Sequence, residues 1–121
     1  MTPIGHPTPA QATGGDAEER AARLLARHGL VVVERNYRTR LGEIDLVARE
    51  GDTLVFVEVR ARGADRFGGA IASITPGKRR RIVAAARQFL MRFGKVPPCR
   101  FDVVAVDSGD AQWIRGAFDA S

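Results

Sequence analysis

The sequence predicts an α/β fold in which a mixed sheet of four to five strands is flanked by helices, and three observations carry that expectation. Two stretches place apolar residues at helical spacing, each between a capping residue and a closing glycine. Runs rich in β-branched residues, bounded by turn-forming residues, fill the remaining chain. Their order is helix, three strands, helix, two strands, a pattern that suits helices packed on a mixed sheet.

The elements follow in turn. MTPIGHPTPAQATGG, residues 1–15, holds three prolines and three glycines with little apolar content, so it is expected to be a disordered tail before a single domain spanning 16–121. DAEERAARLLARHG opens the first helix, with Asp16 and Glu19 at capping-box spacing and Gly29 as its stop. Its inward stripe is Ala21, Leu24, Leu25 and His28. Glu18 falls on that stripe without an evident structural use, whereas Glu19 points away. His28 reads as a helix-end residue. LVVVERNYR (30–38) is a first strand, and GEIDLVAREGDTLVFVEVR (42–60) supplies two more. RGADRFGGAIASI (62–74) is a glycine-bearing loop. Thr75 caps a second helix with Pro76 at its first position, Gly94 ends it, and Ile82, Ala86, Phe89 and Phe93 form its buried stripe. CRFDVVAVD and AQWIRGAF complete the sheet.

At 121 residues the chain is long enough for one two- or three-layer core. No apolar run approaches the ~20 residues of a membrane span, and the first residues do not read as a secretion signal. The one cysteine, Cys99, excludes an internal disulfide and a cysteine zinc site, fits a reducing cytoplasm, and is expected to be a small buried hydrophobe. Nineteen basic residues against 14 acidic give a net charge of +5, which favours a polyanionic partner such as nucleic acid.

The hairpin raises the functional question. If Gly51-Asp52 is a two-residue loop with Gly51 at the first position of a type II′ turn, Glu50 faces Thr53 and Asp45 stands opposite Glu58. By alternation Glu43, Asp45, Glu58 and Arg60 then project from one face, with Glu43 opposite Arg60. Ile44, Leu46, Ala48, Val55, Val57 and Val59 form the other, core face. Two opposed carboxylates have Cβ atoms about 5 Å apart and destabilise a sheet. Leu54 and Phe56 on the same face imply that it too is covered. A hard divalent cation removes the repulsion, since Mg²⁺ is commonly held by one or two carboxylates. The alternative is incidental surface charge.

An acid on one strand followed by Glu58-Val59-Arg60 on the next resembles the PD-(D/E)xK nuclease superfamily. More closely, AEERAARLLARHGL, GEIDLVAREGDTLVFVEVRAR, FGGAIASITPGKRRRIVAAARQFL, CRFDVVAVD and WIRGAF resemble the uncharacterised bacterial YraN family, whose fold is similar to Holliday junction resolvases. The resemblance implies a restriction-endonuclease-like three-layer core and hydrolysis of DNA phosphodiester bonds with Mg²⁺ or Mn²⁺, branched or damaged DNA being the substrate class it suggests. It implies Asp45, Glu58, the Val59 carbonyl and Glu18 as metal ligands, and a homodimer.

Arg60 stands where the superfamily most often has lysine. A guanidinium stays charged and cannot act as a general base, so Arg60 either positions water or phosphate, or pairs with Glu43. Lys78 shares the second helix's buried face, and either reaches the acids in place of the missing lysine or snorkels from the helix end. Arg79, Arg80 and Arg81 suit phosphate contacts, or form a solvated face. Arg100 and Asp102 read as a structural pair. Two functions follow: a metal-dependent endonuclease, or a nucleic-acid-binding module on the same fold in which cleavage is lost or depends on a partner.

Overall fold

The computed structural model describes residues 9–61, 73–107 and 109–120, with backbone alone for 9–14. Its elements are α1 (Pro9–Arg27), β1 (Val31–Arg38), β2 (Glu43–Glu50), β3 (Thr53–Ala61), α2 (Pro76–Leu90), β4 (Cys99–Val106) and β5 (Ala111–Phe118). The five strands form one sheet in the order β1-β2-β3-β4-β5. All neighbours are antiparallel except β3 and β4, which run parallel. A parallel pair requires a crossover, and α2 belongs to that connection.

Each face of the sheet carries a helix. Under α1, Ala21, Ala22 and Leu25 pack on Leu46, Ala48, Val55 and Val57. Under α2, Ile82, Val83, Ala86 and Phe89 pack on Ile44, Val47, Leu54 and Phe56. Phe56 lies in contact with both Phe89 and Phe101, with ring centroids 5.9 and 5.5 Å away. With both faces covered, β3 and β4 read as nearly continuous apolar runs, as central strands do. Among the described residues, no helix is long and apolar enough to cross a membrane.

The turn at residues 51–52 sets the hairpin register. Gly51 has φ +59° and Asp52 does not share the left-handed region, as a type II′ turn requires. The ladder runs from Glu50↔Thr53 to Leu46↔Val57.

Several expectations are corrected. α1 begins at Pro9, so Asp16 lies inside the helix rather than capping it, and residues 9–15 are helical. Extending a docked helix adds one hydrogen bond per residue fixed, which is far less costly than starting one. The rest of the expected tail, and residues 62–72 of the glycine-bearing loop, lie outside the described residues. Glu19, released from capping, pairs with Arg23 and Arg35 at 3.0 and 2.8 Å. α2 stops at Leu90, short of Gly94, because the amides of Met91, Arg92 and Phe93 bond three residues back and tighten the chain into a turn. Phe93 therefore leaves the buried stripe and is exposed. Cys99 is exposed as well. Its thiol donates to the Pro97 carbonyl at 3.2 Å, and partial desolvation pushes its pKa up, away from the reactive thiolate.

The expected single core face of β2 also divides. Ile44 packs under α2, whereas Leu46, two residues on, packs under α1. Their partners on β1 divide in the same way: Tyr37, opposite Ile44, stacks edge-on against Phe89 of α2, and Arg35, opposite Leu46, reaches Glu19 of α1. Between them Asn36 adopts φ +52°. A left-handed residue breaks strict alternation, and Asn tolerates that conformation better than most residues. Both strands change face at the level of Asp45.

Candidate active site: a carboxylate cleft between hairpin and helix

The face change and the end of the β2–β3 ladder coincide. Beyond Leu46↔Val57 the hairpin carries no further paired residues, and β3 continues only with β4 as far as Ala61↔Val106. The Asp45 carboxylate bridges the opening by accepting the Val59 amide at 2.8 Å. An acid therefore stands where a strand carbonyl would otherwise bond, and Glu58, only 6% exposed, lies next to Val59 on the same strand.

Lys78 completes the group. Thr75 caps α2 by accepting the Lys78 amide at 3.1 Å, and Pro76 starts the helix. This seats the first turn so that Lys78 Nζ lies 3.1 Å from Glu58 Oε2. Arg60 Nη1 reaches the same oxygen at 3.3 Å. Of its two options Lys78 takes the reach toward the acids, whereas Arg60 has a partner that the sequence did not suggest, Glu58 in place of Glu43. Glu43 instead approaches Arg38 at 3.8 Å, because the splayed ladder never brings it across to Arg60. The result is a polar cleft of about 350 Å³ lined by Glu43, Asp45, Glu58, Arg60, Lys78 and Arg81.

Two residues that position this cleft carried no weight in the sequence reading. Thr39 Oγ1 accepts the amides of Leu41 and Gly42 and donates to the Gly42 carbonyl at 3.0 Å, clamping the β1–β2 connection. Gly42 then abuts α2 so closely that a Cβ would lie 2.3 Å from the Arg81 carbonyl oxygen. Only glycine permits that approach. The signal was the spacing Thr39-x-x-Gly42 in a connection too short for a relaxed loop.

Desolvation and the adjacent Glu58 push the Asp45 carboxyl up to about 7, Glu18 on α1 adds repulsion, and the Val59 amide only partly offsets them. Glu18 is thus half-buried and within electrostatic reach of the cleft. Among the described residues no three His, Cys, Asp or Glu side chains converge as a metal cluster. The acids that meet are two. Two carboxylates and a nearby peptide carbonyl are hard oxygen donors that fit Mg²⁺ or Mn²⁺ and leave most of the ion's coordination to water and substrate.

The arginines of α2 diverge. Arg81 lines the cleft, Arg80 lines a neighbouring groove, and Arg79 donates to the Ile74 carbonyl at 3.1 Å while lying over the Phe118 ring. His28 ends α1, with Nδ1 2.9 Å from the Leu24 carbonyl and its ring edge-on to Trp113.

Fold and site together define a three-layer α/β domain in which two strand carboxylates and a helix lysine share a polar cleft. Residues 17–106 match the uncharacterised protein family UPF0102, and the chain belongs to that family, the YraN-like proteins. A UPF0102 protein of Cupriavidus taiwanensis is 59% identical over 111 residues, covering 91% of this chain and 85% of the relative. One of Ralstonia nicotianae is 56% identical over 121 residues, covering 96% and 93%. One of Dechloromonas aromatica is 59% identical over 110 residues, covering 90% of each.

Proposed function

We propose that the protein is a metal-dependent endonuclease that hydrolyses DNA phosphodiester bonds, with branched or damaged DNA as its substrate class. One observation carries the reading: a half-buried Asp45 with a single hydrogen-bond donor among the described residues, facing a second carboxylate in an open polar cleft. Lys78 and Arg60 offset Glu58, but the repulsion on Asp45 is relieved only by a proton or a bound cation.

Asp45 and Glu58, with the Val59 carbonyl, are the residues to hold Mg²⁺ or Mn²⁺, and Glu18 lies close enough to contribute through its charge or an intervening water. When bound, the ion supplies an acidified water and neutralises charge on the phosphate. The chain's own residues do the rest. The Val59 amide fixes one Asp45 oxygen and leaves the other toward the cleft. Lys78, at 3.1 Å from Glu58, orients that carboxylate and sets a positive charge beside the scissile phosphate. An ammonium is what the superfamily most often places beside the acids and a guanidinium is not, so the task of the superfamily lysine falls to Lys78 of α2, and Arg60 acts in positioning. A cytoplasmic setting and a working homodimer belong to the same proposal.

The second reading, a DNA-binding module without cleavage, draws on one observation. Glu58 already holds Lys78 and Arg60 on a single oxygen, a charge balance that needs no metal. The test is cleavage of duplex, single-stranded, flap and four-way-junction DNA with Mg²⁺ or Mn²⁺. Metal-dependent nicking that Asp45→Ala abolishes while the fold persists is the expected result. Failure to cut any of these with either ion transfers the case to the second reading.

A further inference from the structure

The arginines of this basic chain fall into two groups. On the α1 side Arg20 donates to the carbonyls of Asp107 and Asp110, and Arg23 and Arg35 share Glu19. At the sheet's far end Arg100 and Arg115 close on Glu50 at 2.7 and 2.8 Å. Arg80, Arg81 and Arg87 of α2 differ. None of them makes an ion pair with any described residue, and all three are exposed. Arg27, Arg40 and Arg49 are likewise exposed and without an ion pair to a described residue, but they lie apart, on α1, the β1–β2 connection and β2.

Arg80 and Arg87 are two helical turns apart, so they share one face about 10 Å along the axis. Both line a groove of about 580 Å³ beside α2, with Val83 and Ala84 in its wall and Asp119 as the one acid among its described lining residues. Arg81, next in the chain to Arg80, turns into the carboxylate cleft, so groove and cleft adjoin across a single helix. An arginine already paired must surrender a partner to bind phosphate. An unpaired one gives up only water and small anions while the nucleic acid releases its counterions. The planar guanidinium also matches phosphate oxygens bidentately. None of the large exposed apolar side chains lies in this groove, so a lipid surface has no anchor there.

We infer that the α2 groove is the docking surface for the phosphate backbone of duplex DNA flanking the point engaged by the carboxylate cleft. The identity of the polyanion rests on the nuclease reading, and the experiment keeps the two separable. Binding of a labelled 30-base-pair duplex to the full chain is measured in EDTA, where no cleavage occurs, across a salt series. Arg80→Gln/Arg87→Gln lowers affinity roughly 10-fold and reduces the slope of log affinity against log salt by about 2, one phosphate contact per guanidinium. Asp119→Asn moves affinity the opposite way. Arg23→Gln/Arg35→Gln, which alters charge equally on the α1 side, leaves the duplex affinity within twofold. These positions are exposed, and matched thermal melts establish that the variants are folded. An unchanged slope in the groove variant, an equal loss in the α1 variant, or no duplex binding by the unmodified protein at the lowest salt overturns the inference. Groove-dependent binding without cleavage under any divalent ion instead sinks the nuclease reading and leaves the groove standing.

Discussion

Asp102 and Asp45 are both aspartates within the sheet, and their surroundings are opposite. Asp102 is fully buried and accepts four hydrogen bonds, from Arg100 Nε and Nη2, Trp113 Nε1 and the Gly116 amide, at 2.8–2.9 Å. Gly116 supplies its amide from a bulge in β5, where it adopts φ +59°. Around this centre Arg100 also binds Glu50, whose carboxyl the neighbouring Arg115 and Arg100 hold below the usual range, and Arg115 lies 3.7 Å from the Trp113 ring centroid. Among the described residues Asp45 has one donor, the Val59 amide, and it faces other acids. A carboxylate that serves the fold is enclosed by donors. One left short of them has room for a further partner, which is the pattern of a functional site.

Substitutions can break this contrast, starting from the largest effect. Asp102→Ala strands the Arg100 guanidinium, the Trp113 indole and the Gly116 amide together, and costs about 3–5 kcal/mol in urea unfolding, with Mn²⁺ binding retained where the variant is folded. A cost under about 1 kcal/mol would remove the distinction between the two aspartates.

Asp45→Asn has the opposite sign. The Asp45 pKa is raised in the folded state to about 7 from an ordinary value of 3.8, so the folded protein holds a proton that the unfolded chain releases. Its contribution to stability is fully present below about pH 4 and is lost as pH rises through about 7. Asparagine keeps the acceptor for the Val59 amide and carries no charge. The metal-free variant should therefore match the parent near pH 4 and exceed it by on the order of 1–2 kcal/mol at pH 8, with Mn²⁺ binding abolished. Unfolding curves at the two pH values decide it, and a variant less stable at both identifies Asp45 as structural.

The smallest effect belongs to Lys78→Met. The Lys78 side chain is 36% exposed, and its pair with Glu58 is worth at most about 1 kcal/mol. Metal-free stability is expected to change by no more than that. Mn²⁺ titration should give binding at least as tight as in the parent, since a competing cation is gone, while DNA cleavage falls. Equal loss of binding and cleavage would mean that Lys78 only holds the cleft together.

Much of this was legible in the sequence, and the reasons are local. Gly51-Asp52 specifies its turn within two residues, and that turn carries the hairpin register from Glu50↔Thr53 to Leu46↔Val57. Thr75-Pro76 specifies the start of α2 and hence the direction of Lys78. Glu18 could be placed inward because helical periodicity persists over a turn. The misses arise where a distant element overrides a local rule. Strict alternation assumes regular backbone, and it fails on both strands at the level of the left-handed Asn36 and Asp45. The partner of Arg60 depended on whether the ladder continued past Leu46, which Asp45 itself prevents by taking the Val59 amide. Cys99 was assigned inward on residue type and Phe93 on helical spacing, yet each sits at the margin of an element where the covering layer has ended.

The crossover by which α2 links two parallel strands also governs when the site can exist. Its acids come from an early hairpin, while the balancing ammonium arrives from a helix that must first swing over the sheet and seat Gly42 against the Arg81 carbonyl. A nascent chain that has made only the hairpin holds its two acids with Arg60 alone to offset them. The balanced cleft thus exists only once the last layer has closed.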